Sequence, residues 1–185
     1  MNDTVRDIER QLGELKKKLA AARAGVKPEP VSDWVLTDTA GGAIRLSDLF
    51  GPRREMLVIH NMGKRCVYCT MWADGLVSLR THIESRASLV LASPDPPEVV
   101  GEFSRGRGWA FRCVSTVGSG FTKAMGFEHN GSPMPGVSAF VKRDDGAIVR
   151  TGSAPFGPGD EFNPVWHFWE LLPGDPLGWA PRYQY

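Results

Sequence analysis

"VIHNMGKRCVYCTMWADG", residues Val58 to Gly75, holds Cys66 and Cys69, two of the three cysteines in a chain of 185 residues. The apolar run "EMLVIHNM", beginning at Glu55, is of the length and character of a strand buried on both faces. At Cys66 it gives way to a helical pattern in which Cys69, Trp72, Leu76, Leu79 and Ile83 share one face. A strand therefore feeds directly into a helix at a C-x-x-C pair. Such a pair is a redox couple, half of a metal site, or two packed thiols.

Working outward, "WVLTDTAGGAIRLSDLFG" before this unit reads as a hairpin turning at Gly41 and Gly42, with Leu46 to Phe50 as a short helical exit. After it, "ASLVLASPDP" is a second buried strand and "PPEVVGEFSRGRGW" a helix that opens on proline. "FRCVST" and "SGFTKAMGF" follow as a short strand and a helix ended by Gly126. "PGVSAFVKRDDGAIVRTGSAP" is two strands joined at Asp145 and Gly146, and "DEFNPVWHFWELL" is a helix with Asn163 as N-cap and Pro164 at its first position. Trp166, Phe168, Trp169, Leu171 and Leu172 make that last helix apolar almost all round, which predicts burial against the sheet. The order strand, helix, strand, helix, antiparallel hairpin, helix implies an α/β three-layer sandwich, a central mixed sheet with helices on both faces. The cysteines then lie at the C-terminal end of the first core strand, the usual ligand edge of such sheets.

Residues 1–30 read as a helical arm and linker, and residues 31–185 as the compact domain. In the arm Val5, Ile8, Leu12, Leu15, Leu19, Ala22 and Val26 alternate spacings of three and four, the a/d seam of a coiled coil. Two readings stay open: the stripe pairs with a second copy as a homodimer, or it packs back on its own domain. Twenty-two Lys and Arg against twenty-one Asp and Glu leave a net charge of +1, without the footprint of a nucleic-acid or anionic-membrane binder. No segment has the apolar length of a membrane span or signal peptide, which places the expected compartment in the cytosol. Permanent disulfides are disfavoured there, so the close pair is more readily catalytic or metal-binding than a structural staple.

The chemistry follows from position. Residues three apart on a helix have Cβ atoms about 5–6 Å apart, slightly wide for a disulfide, so the pair closes most easily in a loose first turn. There Cys66 meets free backbone N–H groups and the positive helix end, and Lys64 and Arg65 add positive charge, all favouring a thiolate. Cys66 is thus the expected nucleophile, and Cys69, one turn deeper beside Trp72, the resolving thiol. Val67 and Tyr68 between them include neither His nor Pro, which leaves the potential open; Tyr68 is carried as a site-shaping residue. His60 is placed near the chemistry, and Trp72 either shields the disulfide or, as its helix face suggests, packs in the core. Pro135 opens the strand "GVSAFV" and is tied to the same site together with Met134, because X-Pro bonds alone adopt the cis form at appreciable frequency. Cys113, isolated in "AFRCVST", reads as a small buried hydrophobe.

The strand–C-x-x-C–helix unit, with "SDLFG" before it and "MPGVSAFVKRDDG" after it, resembles the thioredoxin superfamily. More narrowly, "HNMGKRCVYCTMWADG" with "GWAFRCVSTVGSGF" and "NPVWHFWELLP" is similar to a thioredoxin-like family of predicted dithiol-disulfide oxidoreductases. The resemblance covers most of the chain. It implies a thioredoxin-like fold with an N-terminal β-hairpin extension and helical arm, a redox role for Cys66 and Cys69, and a cis bond before Pro135 presenting the Met134 backbone to an incoming chain. Val67-Tyr68 departs from the Pro-Ser found in many relatives, which also carry a longer insertion before the first cysteine.

The expected activity is thiol-disulfide exchange on a disulfide-containing protein or small thiol. Exchange needs no cofactor, and recharging falls to an external redox partner because no dinucleotide fingerprint is present. Three alternatives stand beside it. A peroxiredoxin-like peroxidase would use the same thiolate on peroxide, although Gly63 occupies the position three before Cys66 where peroxiredoxins carry Thr. A zinc site would need Cys113, His60, His129 or His167 to complete the pair, with no second ligand knuckle to supply them. A non-catalytic binding module would hold two inert thiols.

Overall fold

The computed structural model describes residues 2–185, so Met1, the first residue of the arm, lies outside the described residues. Helix α1 (Asp3–Ala24) starts at Asn2, whose side chain accepts the Thr4 N–H. It is followed by strands β1 (Glu29–Val31), β2 (Val35–Asp38) and β3 (Ala43–Arg45), helix α2 (Leu46–Leu49), strand β4 (Glu55–His60) and helix α3 (Val67–Glu84). Then come β5 (Ser88–Ser93), α4 (Pro97–Gly106), β6 (Arg112–Ser115), α5 (Phe121–Ala124), the short pair β7 (Glu128–His129) and β8 (Ser132–Pro133), β9 (Gly136–Lys142), β10 (Ile148–Pro155) and α6 (Val165–Trp169).

Eight strands form one sheet in the order β1-β10-β9-β4-β5-β6-β2-β3. The centre is parallel, with Val58 of β4 opposite Val90 of β5 and Val90 opposite Arg112 of β6. Both flanks are antiparallel: β9 lies along β4, with His60 opposite Gly136, and β2 lies along β6. The β2–β3 hairpin turning through Gly41 and the β9–β10 hairpin turning at Gly146 are the two read from the sequence, and both glycines take positive φ. Glu29 and Pro30, read as linker, join Val31 to add an edge strand to β10, and the Arg150 guanidinium clamps Glu29 at 2.7 Å.

The side chains of β4 and β5 alternate between two apolar layers, the consequence of the two-residue period of a strand. On one face Ile59, Leu89 and Leu91 pack with Trp72 and Ala73 of α3, Val100 of α4 and Trp166 of α6. On the other, Met56, Val58, Val90 and Phe140 pack with Leu46 and Leu49 of α2 and Phe121 of α5. Helices therefore cover both faces of a mixed sheet, the three-layer arrangement expected.

Two helices depart from expectation. In α3 the fully buried residues are Cys69, Thr70, Trp72 and Ala73, while Leu79, at the margin of the apolar stripe, is 47 % exposed. In α6 only Trp166 is buried; Phe168, Leu171 and Leu172 face solvent, because the helix ends after Trp169 and turns a single side toward the core. Asn163 still caps it, its Oδ1 accepting the Val165 N–H at 3.0 Å. Helix α1 buries no residue at all, and its Lys16 meets Glu161 in an exposed ion pair at 2.8 Å. Among the described residues no helix is long and apolar enough to cross a membrane.

Candidate active site

The chain leaves β4 at its C-terminal end and reaches Cys66 through five residues whose backbone is held from three sides. Asn61, itself buried, accepts the Gly63 N–H at 2.6 Å, an Asx turn of the kind Asn forms with the backbone two residues on. Gly63 sits at φ +97°, and a Cβ there would lie 2.9 Å from the Asp95 carboxylate. That carboxylate, at the C-terminal end of β5, accepts the Lys64 N–H. The Tyr183 hydroxyl, from the far end of the chain, donates to the Lys64 carbonyl at 2.8 Å.

So held, the loop delivers Cys66 to the N-cap position of α3. Its Sγ accepts the Cys69 N–H at 3.1 Å, and its carbonyl accepts the Thr70 hydroxyl at 3.0 Å. Cys66 is partly exposed and Cys69 buried, and all three cysteines are free thiols. The hydrogen bond from the Cys69 side chain, helped by the Cys69 and Tyr68 amides, brings the Cys66 thiol down to about 7 against the opposing effect of burial. The same shared hydrogen bond, together with burial and the charge on Cys66, pushes the Cys69 thiol well above the ordinary range. The pair is thus split into a thiol poised to ionise at neutral pH and one that holds its proton, the division of labour that nucleophilic attack followed by resolution requires.

The remaining residues singled out from the sequence fall into two groups. Tyr68 lies parallel to Trp166 and is tilted against Trp72, and Trp72 is a core residue whose indole N–H points at Asp160 at 3.4 Å. Lys64 and Arg65 are exposed; the stabilisation of the Cys66 thiolate comes from Cys69 and two backbone amides, not from these two side chains. Met134 and Pro135 precede β9, whose first residue pairs with His60, so they border the edge that carries the thiols. The Met134–Pro135 bond is trans, which corrects the cis geometry implied by resemblance. The β7–β8 hairpin delivers Met134 with its N–H on the Phe127 carbonyl, and the Pro135 carbonyl accepts the Phe156 N–H, so the chain runs straight into β9.

His60 is a second correction. It belongs to the opposite face of β4, 2 % exposed, stacked on Phe127 at 3.9 Å with Nε2 2.9 Å from the Ser138 hydroxyl. Burial, with Arg150 contributing, lowers it to about 3 and keeps the ring neutral. It is a core histidine of the second layer. Cys113 is also structural: it is buried, its thiol directed at the Phe111 carbonyl, and burial pushes it up to about 12. Among the described residues no three His, Cys, Asp or Glu side chains converge as a metal site would require.

Asn61, Asp95, Thr70 and Tyr183 were not singled out from the sequence. The first two carry a local signal, an Asn-x-Gly turn after a strand and an acidic residue after the next parallel strand. Tyr183 carries none.

Residues 4–179 match the model of a family described as "Bacterial protein of unknown function (DUF899)". The chain belongs to this family. Solved structures place the family member among thioredoxin-like folds of the peroxiredoxin kind. It superposes on the peroxidoxin BcpB of Mycobacterium tuberculosis with a TM-score of 0.55 and 25 % identity, over 69 % of this chain and 84 % of that one. With peroxiredoxin 5 of Alvinella pompejana the TM-score is 0.58 at 14 % identity, over 72 % and 91 % of the two chains. An uncharacterized conserved protein of Geobacillus kaustophilus gives 0.54 at 17 % identity, over 72 % of each. No curated protein matches the chain.

Proposed function

We propose that this DUF899 protein is a dithiol oxidoreductase in which Cys66 attacks and Cys69 resolves. The observation that carries this is the split pair: Cys66 Sγ at the α3 N-cap on the Cys69 amide, with Cys69 buried one turn behind. In the forward reaction the Cys66 thiolate attacks one sulfur of a substrate disulfide, the other sulfur leaves as a thiolate, and a mixed disulfide forms. Cys69 then gives up its proton and attacks Cys66 Sγ, releasing the second substrate thiol and leaving a Cys66–Cys69 disulfide. Two electrons pass from the protein pair to the substrate, and an external dithiol returns them. The substrate is a disulfide-containing protein or the disulfide form of a small thiol, in a reducing compartment such as the cytosol.

A peroxidase reading uses the same residues and draws support from the peroxidoxin similarity at 25 % identity. There the Cys66 thiolate attacks one peroxide oxygen, the O–O bond breaks and the other oxygen leaves as water or an alcohol; the resulting sulfenic acid condenses with Cys69 to a disulfide and water. Gly63 offers no hydroxyl at the position where peroxiredoxins carry Thr, and this favours disulfides as the oxidant.

Titrating the native protein against thiol-disulfide buffers, with alkylation of each cysteine read by mass spectrometry, tests the proposal. The expected result is one reversible two-electron transition shared by Cys66 and Cys69, with Cys113 unchanged. Thiols that stay reduced throughout, or that are protected by bound zinc, refute it.

A second copy of the chain is the partner assigned to α1. Val5, Ile8, Leu12, Leu15 and Leu19 are each 44–60 % exposed along one stripe, and such a helix gains its stability by covering that stripe. With Val5, Leu12 and Leu19 at a positions, parallel pairing would set Lys18 against the partner's Arg23. Antiparallel pairing instead sets Glu9 near the partner's Lys16. Light scattering is expected to give twice the 20.3 kDa of one chain, and Leu12→Glu combined with Leu15→Glu is expected to halve it. A wild-type monomer disproves the assignment.

A further inference from the structure

The C-terminal segment reaches the thiol loop from the opposite end of the chain. After a single 3-10 turn at Pro176–Gly178 the chain doubles back, Pro181 is buried, and Tyr183 sets its ring edge-on to Phe103 of α4 at 6.4 Å. Two hydrogen bonds fix Tyr183. Its hydroxyl donates to the Lys64 carbonyl at 2.8 Å, and its own carbonyl accepts an Arg107 N–H at 2.8 Å. Arg107 is in turn paired with Asp74 of α3, which also accepts the Trp109 indole N–H at 2.8 Å. The tail is therefore braced on the helix that carries both thiols and grips the loop two residues before Cys66. A cleft of about 430 Å³ remains between tail and α4, bordered by Lys64, Val99, Phe103 and Tyr183.

We infer that Tyr183 is a positioning residue for the nucleophile: its hydrogen bond to the Lys64 carbonyl holds the loop in the one conformation in which Cys66 Sγ caps α3. This rests on the reading of Cys66 as nucleophile. The loop needs such a restraint because Gly63 at φ +97° is its most pliant point, and the Asx turn and Asp95 restrain only donors on the N-terminal side of Cys66. The Gly63 carbonyl accepts the Cys66 N–H at 3.1 Å within the loop itself, whereas the Lys64 carbonyl is held from outside it, by Tyr183. Burial, and after it the negative charge of the nearby Cys66 and Cys69 sulfurs, holds the phenol above its usual range and so in the protonated, donating form, with Arg65 opposing. If the grip is released, the loop relaxes, the Cys69 amide moves off Cys66 Sγ, and the thiolate loses the interaction that favours it.

The test compares wild type, Tyr183→Phe and Tyr183→Ala in the full chain, reading the pH profile of Cys66 alkylation by iodoacetamide. Both variants are expected to move the midpoint up by about one pH unit, which at pH 7 lowers the thiolate fraction, and hence the alkylation rate, about fivefold. Faster alkylation with an unmoved midpoint would show that Tyr183 only shields the thiol, and a shift in Tyr183→Ala alone would assign the effect to the ring; either result overturns the inference. The profile reads the Cys66 thiolate whether or not the pair exchanges disulfides. A failed redox titration with a shifted profile would therefore reject the proposed function and leave the positioning role standing. Thermal melts of both variants verify that the fold is intact.

Discussion

Cys66→Ser is expected to lower reaction with disulfides by about a thousandfold or more, because no other thiol on the protein can ionise near neutral pH. Cys69 loses the influence of Cys66 in this variant but stays buried, shut off from a substrate disulfide, and Cys113 is pushed up to about 12 by burial, so neither can stand in. Cys69→Ser should behave differently. The first attack still occurs, but no second thiol releases the product, and a stable mixed disulfide between Cys66 and the substrate accumulates, visible as a mass increase that dithiothreitol removes. The pH dependence has a definite sign. In wild type the attack rate should rise through about pH 7 as Cys66 ionises and then level off. In Cys69→Ala the same midpoint should move upward, because the side chain that donates to Cys66 is gone. Equal activity in both serine variants and in wild type would defeat the mechanism.

Gly136→Ala is expected to cost the fold about 3 kcal/mol, the upper end of what overpacking a core usually does. A Cβ built at Gly136 would lie 2.2 Å from a ring carbon of Phe127 and 2.5 Å from the Ala154 carbonyl oxygen. One obstacle is an aromatic ring already stacked on His60, the other the backbone of the paired strand β10, so neither can step aside without breaking a layer or a ladder. For a domain of this size the melting temperature should fall by about 10 °C. An unchanged melting temperature would mean that β9 can slide relative to β10, contrary to the tight register seen from Gly136 to Ala139.

How far the sequence carries differs from element to element. The C-x-x-C pair at a strand-to-helix junction, the hairpins at Gly41 and Gly146 and the Asn163 cap depend on residues adjacent in the chain, and each was legible because turn and cap chemistry is local. His60, expected near the chemistry, lies instead in the core of the other layer. Its neighbours in sequence border the thiols, but the alternation of a strand points it at Phe127, and a one-residue step reverses the side of the sheet. The bond before Pro135 was inferred from the fold of relatives, whereas its trans geometry depends on where the β7–β8 hairpin delivers the chain. Helix α6 reads as apolar all round, yet it is too short to be surrounded and shows one face to the core.

The mixed α/β fold and the C-x-x-C pair at the head of a helix follow from the chain alone, since strand length, helical spacing and the separation of two cysteines are properties of contiguous residues. The difference between the two thiols arises in three dimensions. The bond between Cys66 and the Cys69 amide requires a loop held by Asn61, Asp95 at the end of the next strand, and Tyr183 from the far end of the chain. Hydrogen-bond geometry and burial depend on distance in space, and residues 119 positions apart meet only once the sheet and its layers have formed.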